Sequence, residues 1–178
     1  MSACEVYAIT KTGNVRYFGE ARNAFGGAFS VWRALIGKYL VRGDDEATIF
    51  MMRGDMGSLW RLVRDERLTR AERIVLASTY DNVVIWHDHL MRVIHAFEGW
   101  AHVHPKHTSH TMEEEVGLLA KIWQRKSLRG ACFNQTSVCD SPWTVYGPHG
   151  GTRPYNVLRD SGHWELFGHY PELLEGAI

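Results

Sequence analysis

The sequence has few cysteines, few prolines, no net charge and no long hydrophobic run. It contains three cysteines (Cys4, Cys132 and Cys139) and five prolines among 178 residues. So few cysteines exclude a disulfide-dense secreted framework, and an odd number is typical of a reduced cytoplasm. No apolar run approaches the length of a membrane span, and the N-terminus lacks the basic-then-apolar layout of a signal peptide. We therefore expect a cytoplasmic protein without a membrane partner.

Neither sign of charge is in excess, because 20 basic residues balance 20 acidic ones. The chain therefore has no net field that would indicate a nucleic-acid or membrane partner. It also lacks a glycine-rich phosphate loop, an internal repeat and a low-complexity linker. What it has is core material, since 45% of its residues are hydrophobic and Trp, Tyr and Phe each occur seven times. This length and composition predict a single domain over residues 1–178.

The order of the local patterns predicts an α+β fold. Residues 5–19 form two alternating segments around Lys-Thr-Gly, which is typical of a β-hairpin. Apolar residues at helical spacing predict a helix over residues 24–40, and the apolar run 47–52 indicates a strand. Val83–Trp86 is predicted to be a central buried strand that leads into a helix. Short β segments at 131–138, 143–146, 155–159 and 163–167 predict a strand-rich C-terminal part.

Helix starts and core positions can also be predicted. Thr69 with Glu72, and Thr111 with Glu114, both match the reciprocal capping box, and Asp55 is placed to cap a helix through residue 63. The core positions are those that fall on the apolar faces of these elements. They are Trp32, Leu35, Ile85, Leu90, Ile94, Phe97, Leu119 and Trp123.

Seven of the ten histidines fall between residues 86 and 111. Within that stretch His102, His104 and His107 have the spacing H-x-H-x-x-H, which resembles the first metal-binding motif of the metallo-β-lactamase-like hydrolases. The resemblance covers six residues and implies a zinc-dependent hydrolase. That family places an aspartate immediately before the third histidine, whereas this chain has Lys106, a cation where a second metal would need an anion.

The same histidines could bind a metal outside that family. Three neutral imidazoles and a water would form an open site for Zn²⁺ or another divalent transition metal, and the bound water would become acidic enough for hydrolysis. His102, His104 and His107 are the candidate ligands, with His110 or Glu114 in reserve. The alternative is that these are exposed loop histidines, some of them hydrogen-bonded to nearby carboxylates.

The N-terminal residues carry a second resemblance. Val6-Tyr7 and, ten residues after the tyrosine, Tyr17-Phe18-Gly19 resemble the GIY-YIG nucleases. The resemblance covers less than a fifth of the chain and implies a nuclease whose chemistry uses an arginine on the next helix and a later glutamate. The alternative interpretation is a β-hairpin with aromatic cross-strand pairs.

The chain departs from that pattern at the arginine. Gly27 stands about where the arginine is expected, and Arg33 comes later. Glu114 or Glu115 could supply the carboxylate, although farther along the chain than is usual. The resemblance therefore implies a degenerate nuclease domain.

A basic cluster lies in the longest stretch without an acid, residues 116–139. It consists of Lys121, Arg125, Lys126 and Arg129, with Trp123 among them. Cations near the end of a helix are stabilised by its dipole, and this effect alone could account for them. The alternative is a contact surface for an acidic partner or nucleic acid.

These observations give three functional hypotheses. The first is a small cytoplasmic accessory or inhibitor-type protein that binds another protein, because Trp, Tyr and Arg dominate interface energetics and no complete catalytic motif is present. The second is a metal-dependent hydrolase or nuclease that uses His102, His104 and His107. The third and weaker one is the degenerate GIY-YIG-like nuclease.

Overall fold

A long antiparallel hairpin opens the chain, formed by β1 (Ser2–Thr10) and β2 (Val15–Asn23). Its turn includes Gly13 at φ 84°, a backbone conformation that glycine adopts without strain. The hairpin predicted over residues 5–19 is confirmed, and both strands extend beyond it. The structure, a computed structural model, describes residues 2–23, 27–54, 56–135 and 141–175.

The hairpin belongs to a five-stranded mixed sheet. The other strands are β3 (Val83–Trp86), β4 (Leu128–Asn134) and β7 (Trp164–Glu165), and the order is β2-β1-β4-β3-β7. Strand β4 pairs antiparallel with β1 and β3, whereas β7 is parallel to β3. Strands β5 (Thr144–Tyr146) and β6 (Thr152–Pro154) form a separate antiparallel pair. The predicted α+β fold, central strand and strand-rich C-terminal part are therefore confirmed.

Individual C-terminal segments differ from the prediction. Residues 155–159 form a turn with one isolated bridge at Asn156, and within 163–167 the short β7 leads directly into a helix. Residues 136–138 of the predicted strand 131–138 lie outside the described residues, as does Cys139.

Seven α-helices complete the described part of the domain. They are α1 (Ala28–Tyr39), α2 (Asp44–Met52), α3 (Met56–Arg61), α4 (Arg70–Ser78), α5 (Leu90–Val103), α6 (His110–Trp123) and α7 (Leu166–His169). Helix α1 occupies most of the predicted helix 24–40, whose first three residues, 24–26, lie outside the described residues.

Helix α2 corrects the strand predicted over residues 47–52. Three acids, Asp44, Asp45 and Glu46, occupy its first turn, where the positive end of the helix dipole stabilises them. A short, mostly apolar run of six residues can be a strand or a helix, and periodicity alone does not distinguish them. The acids that precede the run are the local feature that favours the helix.

One of the two predicted capping boxes is confirmed. The Thr69 side chain accepts from the backbone N–H of Glu72, and the Glu72 carboxylate accepts from the backbone N–H of Thr69. The second box, Thr111 with Glu114, is wrong, because Ser109 Oγ caps α6 by accepting from the backbone N–H of Met112. The Thr111 hydroxyl donates instead to the carbonyl oxygen of Arg22. Asp55, the other proposed cap, lies outside the described residues.

The sheet has an apolar core on each face. Alternation along β1 directs Cys4, Val6 and Ala8 toward the helices and Tyr7 and Ile9 toward the opposite face. Of the eight predicted core residues six are buried, namely Leu35, Ile85, Leu90, Ile94, Phe97 and Leu119. Trp32 is partly buried.

Trp123 is the exception, because its side chain is 42% exposed. It is the last residue of α6, and its neighbour Ile122 takes the inward position at the same level of the helix with no exposed surface. The prediction of a buried Trp123 is therefore wrong.

Candidate functional site

The basic cluster lies where α6 ends and β4 begins. We call Lys121, Arg125, Lys126 and Arg129 the basic patch, and all four side chains are exposed. None of them forms a salt bridge with an acid in the described part of the chain. Among the described residues, the positive charge of the patch therefore has no close counter-ion.

Two of the four cations rest on aromatic rings from the sheet. The Arg125 guanidinium carbon lies 4.9 Å from the centroid of Phe18 on β2, and that of Arg129 lies 5.6 Å from the centroid of Trp86 on β3. Contacts of this kind restrict a guanidinium without using its N–H donors. Both groups can therefore donate paired hydrogen bonds to a carboxylate or phosphate.

Trp123 lies next to the basic patch and its backbone is fixed. His87 Nε2 lies 2.9 Å from the carbonyl oxygen of Trp123, and because a carbonyl only accepts, Nε2 carries the donated proton. Beside it is a shallow depression of about 460 Å³ lined by Trp86, His87, Asp88, Leu128 and Arg129. Asp88 is the acid among these lining residues, and its side chain is 96% exposed. The depression is open to solvent.

Two of the three histidines of the predicted metal site have separate acidic partners. His104 Nε2 lies 2.7 Å from Glu72 Oε1 in the interior, and His107 Nε2 lies 3.7 Å from Asp44 Oδ1. The rings of His104 and His107 are 6.5 Å apart, whereas His102 is exposed on α5. Within the described residues, no group of three or more His, Cys, Asp or Glu side chains is arranged to hold a metal ion. The metal prediction therefore rests on the sequence alone.

The two reserve ligands are also engaged with other groups. His110 is largely exposed at the first position of α6, and it contacts Glu113 and Glu114 at 3.3 Å each. Glu114 also accepts from the backbone N–H of Arg22. Contacts between an exposed histidine and nearby carboxylates are the alternative that the sequence offered.

Glu72 is a central residue whose long-range role the sequence did not indicate. Its side chain is fully buried, and its Oε1 accepts from Lys38 Nζ at 2.9 Å and from His104 Nε2 at 2.7 Å. The hydroxyls of Tyr39 and Thr69 also donate to the carboxylate. Burial alone would raise the pKa of Glu72, but these hydrogen bonds more than offset it and hold the pKa well below its usual range.

The residues of the nuclease resemblance lie on opposite faces of the sheet. The rings of Tyr7 and Tyr17 are 5.9 Å apart on the face away from α6. Glu115 is buried on the helical face, where it accepts a hydrogen bond from the Cys4 thiol. A Cβ atom at Gly27 would lie 2.8 Å from Glu115 Oε1, so an arginine would not fit there without a shift. The structure does not bring these tyrosines and this glutamate together.

No protein-family model, no curated protein and no solved structure matches this chain. Across the described residues, no helix is long and apolar enough to cross a membrane. The chemistry of the surfaces described above is therefore what indicates a function.

Proposed function

We propose that the protein is an accessory or inhibitor-type protein that binds an acidic face of another protein through the basic patch. The observation that carries the proposal is that all four cations are exposed and that none has an acidic partner among the described residues. Two guanidiniums held over aromatic rings, together with the exposed Trp123, add the residue types that dominate binding energy at protein interfaces.

A protein partner is favoured over nucleic acid by the amount and placement of charge. The chain has no net charge, and the basic patch contains four cations, whereas strong binding to DNA typically involves about 6–10 phosphate contacts. A small basic patch beside an exposed indole is typical of a protein interface with an aromatic anchor. We therefore expect the partner to contribute Asp or Glu side chains around an apolar contact.

We further propose that this binding takes place in the cytoplasm. Cys4 and Cys132, the two cysteines within the described residues, are both free thiols and both buried. They point to opposite faces of the sheet, so they cannot pair with each other. Unpaired buried thiols are typical of a reducing compartment.

The test is a double charge reversal, Arg125→Glu with Lys126→Glu, in the full chain. An affinity pull-down from the native host identifies the partner, and its affinity for the purified variants is then measured against salt concentration. We expect the double reversal to weaken binding about tenfold or more, mainly through a slower association rate. The matched control is Arg42→Glu with Lys106→Glu, two exposed cations away from the basic patch that also lack a salt bridge in the described structure.

Two other results of this experiment would contradict the proposal. A short DNA duplex that competes with the partner, with log affinity falling linearly against log salt, would replace the proposal by nucleic-acid binding. If neither the double reversal nor the salt concentration changes the affinity for the partner, the basic patch is not a contact surface and its cations only stabilise the end of a helix. Both double variants should melt within a degree or two of the unmodified protein, so that a loss of binding cannot be attributed to a loss of folding.

A further inference from the structure

A second uncovered surface lies on helices α1 and α2, away from the basic patch. All nine residues of α2 are described, and Ala47 is its single buried residue. Two of its apolar side chains are largely in solvent, with Ile49 50% exposed and Met52 81% exposed. Phe50 and Met51 pack against the core and are partly buried, so the apolar surface that α2 leaves in solvent is mainly that of Ile49 and Met52.

A groove runs between this helix and α1. Its volume is about 330 Å³, and it is lined by Phe29, Ser30, Arg33, Thr48, Met51 and Met52. One aromatic ring and two thioethers make its wall mostly apolar. Methionine side chains adapt their shape to a bound apolar group, and for this reason they are common at peptide-binding surfaces.

The groove continues into a row of aromatic rings. The distances between the centroids of successive rings are 5.6 Å from Phe29 to Trp32, 5.8 Å from Trp32 to Trp60, 4.3 Å from Trp60 to Tyr80 and 5.4 Å from Tyr80 to Trp164. Each ring of this row is exposed or only partly buried. Exposed apolar side chains that are grouped in this way on a single chain are typical of an interaction site, and the length of the row suits an elongated ligand better than a small molecule.

The charges beside the groove indicate the chemistry of the ligand. Arg33 lines the groove and Arg53 follows Met52 at the end of α2; both are exposed, and neither has a salt bridge within the described residues. The acids of α2 occupy its first turn, at the opposite end of the helix. Arg33 is the charged residue among those that line the groove, so a ligand that complements the groove carries a carboxylate.

We propose that the α1–α2 groove and the adjoining aromatic row bind an amphipathic helix of a partner protein. Its apolar side chains, one helical turn apart, enter the groove and contact the aromatic row, while an acidic side chain pairs with Arg33. This is helix-in-groove recognition, in which residues at i, i+3, i+4 and i+7 supply the anchors. The site is separate from the basic patch and does not depend on the function proposed for it.

The first experiment selects ligands from a random 16-residue peptide library displayed on phage, with the full-length protein as bait. Phe29→Ala serves as bait in a parallel selection to remove peptides that bind elsewhere. We expect the selected peptides to share apolar residues at helical spacing and at least one Asp or Glu. Enrichment of peptides without that pattern, or no enrichment, would overturn the proposal.

The second experiment measures fluorescence anisotropy with the selected peptide, labelled with fluorescein. Met52→Glu should weaken its binding about tenfold or more, whereas Val103→Glu, at an apolar side chain of similar exposure to Ile49 but on α5, should not. Arg33→Glu should weaken the binding of the acidic peptide. It should strengthen the binding of a second peptide in which Lys replaces each Asp or Glu. Equal binding of both peptides by both proteins would show that Arg33 is not the contact.

Three controls distinguish a partner helix in the groove from a different site or a different occupant. Reversal of Arg125 and Lys126 should leave peptide affinity unchanged, so the two surfaces can fail independently. If dodecanoate displaces the peptide at a comparable concentration, the groove is a lipid site and the helix proposal is wrong. If sedimentation shows self-association that Met52→Glu abolishes, the occupant is a second copy of the chain and the proposal is likewise wrong.

Discussion

His104 Nε2 and Glu72 Oε1 lie 2.7 Å apart in the protein interior, although the residues are 32 positions apart in the chain. The His104 ring also stacks on Trp100, with centroids 4.1 Å apart. Because Lys38 of α1 donates to the same carboxylate oxygen, one buried group joins α1, the start of α4 and the end of α5. Glu72 is therefore a structural centre of the helical layer.

Glu72→Gln should lower the free energy of unfolding by about 3 kcal/mol, because removal of one partner from a buried ion pair leaves the others without compensation. Chemical denaturation at neutral pH measures the effect. The matched control is Glu113→Gln, which alters an exposed contact with His110 and should change stability by less than about 1 kcal/mol. Similar losses in the two variants would contradict the central role of Glu72.

The same carboxylate predicts a loss of stability in acid. Its pKa is lower in the folded protein than in the unfolded chain, so its contribution is present above about pH 4.5 and is lost as the pH falls further. Melting temperatures measured between pH 6 and pH 3 should therefore fall more steeply for the unmodified protein than for Glu72→Gln. Parallel curves would show that Glu72 does not govern acid stability.

Glu115 predicts the opposite trend at higher pH. Burial raises its pKa to about 7 from an ordinary value of 4.5, so the stability that it contributes is complete below pH 4.5 and is lost as the pH rises through 7. A shift of this size corresponds to roughly 3 kcal/mol. Because glutamine cannot ionise, the Glu115→Gln variant should not show this loss of stability between pH 5 and pH 8.5. Thermal melts of both proteins at the two pH values measure the difference. A variant that still loses the same stability would assign the titration to another group.

Phe97 and Trp123 form a matched pair of aromatic truncations. Phe97 is 4% exposed, and its replacement by Ala should cost roughly 3–5 kcal/mol because it leaves a cavity. Trp123→Ala should cost less than Phe97→Ala, because Trp123 is 42% exposed. Urea denaturation of both variants tests the two placements together. A larger loss of stability for Trp123→Ala than for Phe97→Ala would show that the two placements are wrong.

Gly130 and Gly117 form a matched pair of glycines. A Cβ atom at Gly130 on β4 would lie only 2.3 Å from the carbonyl oxygen of Ile85, so Gly130→Ala must displace backbone and should cost at least about 3 kcal/mol. Apart from the neighbouring backbone of α6 itself, no described atom lies within 4 Å of a Cβ atom built at Gly117, and Gly117→Ala should stabilise the protein by about 0.5–1 kcal/mol. In thermal melts, the melting temperature should fall for Gly130→Ala and rise for Gly117→Ala.

Only part of the candidate site could be predicted from the sequence. The basic patch was visible as a run of cations without an acid, and the structure places all four on the surface. The support of Arg125 by Phe18 and of Arg129 by Trp86 joins residues far apart in the chain, and no local pattern indicates it. The groove was missed because its wall, α2, was predicted to be a strand.

Local physics accounts for what the sequence by itself determined. The opening hairpin, the strand Val83–Trp86 and the Thr69–Glu72 capping box each depend on side-chain alternation or hydrogen bonds within a few residues, and all three are confirmed. The choice of Ser109 over Thr111 as the cap of α6 depended on a distant contact, because Arg22 offers its carbonyl to the Thr111 hydroxyl. Burial of Glu72 against His104 and exposure of Trp123 were likewise decided by the tertiary structure, since each depends on which elements pack together around the residue.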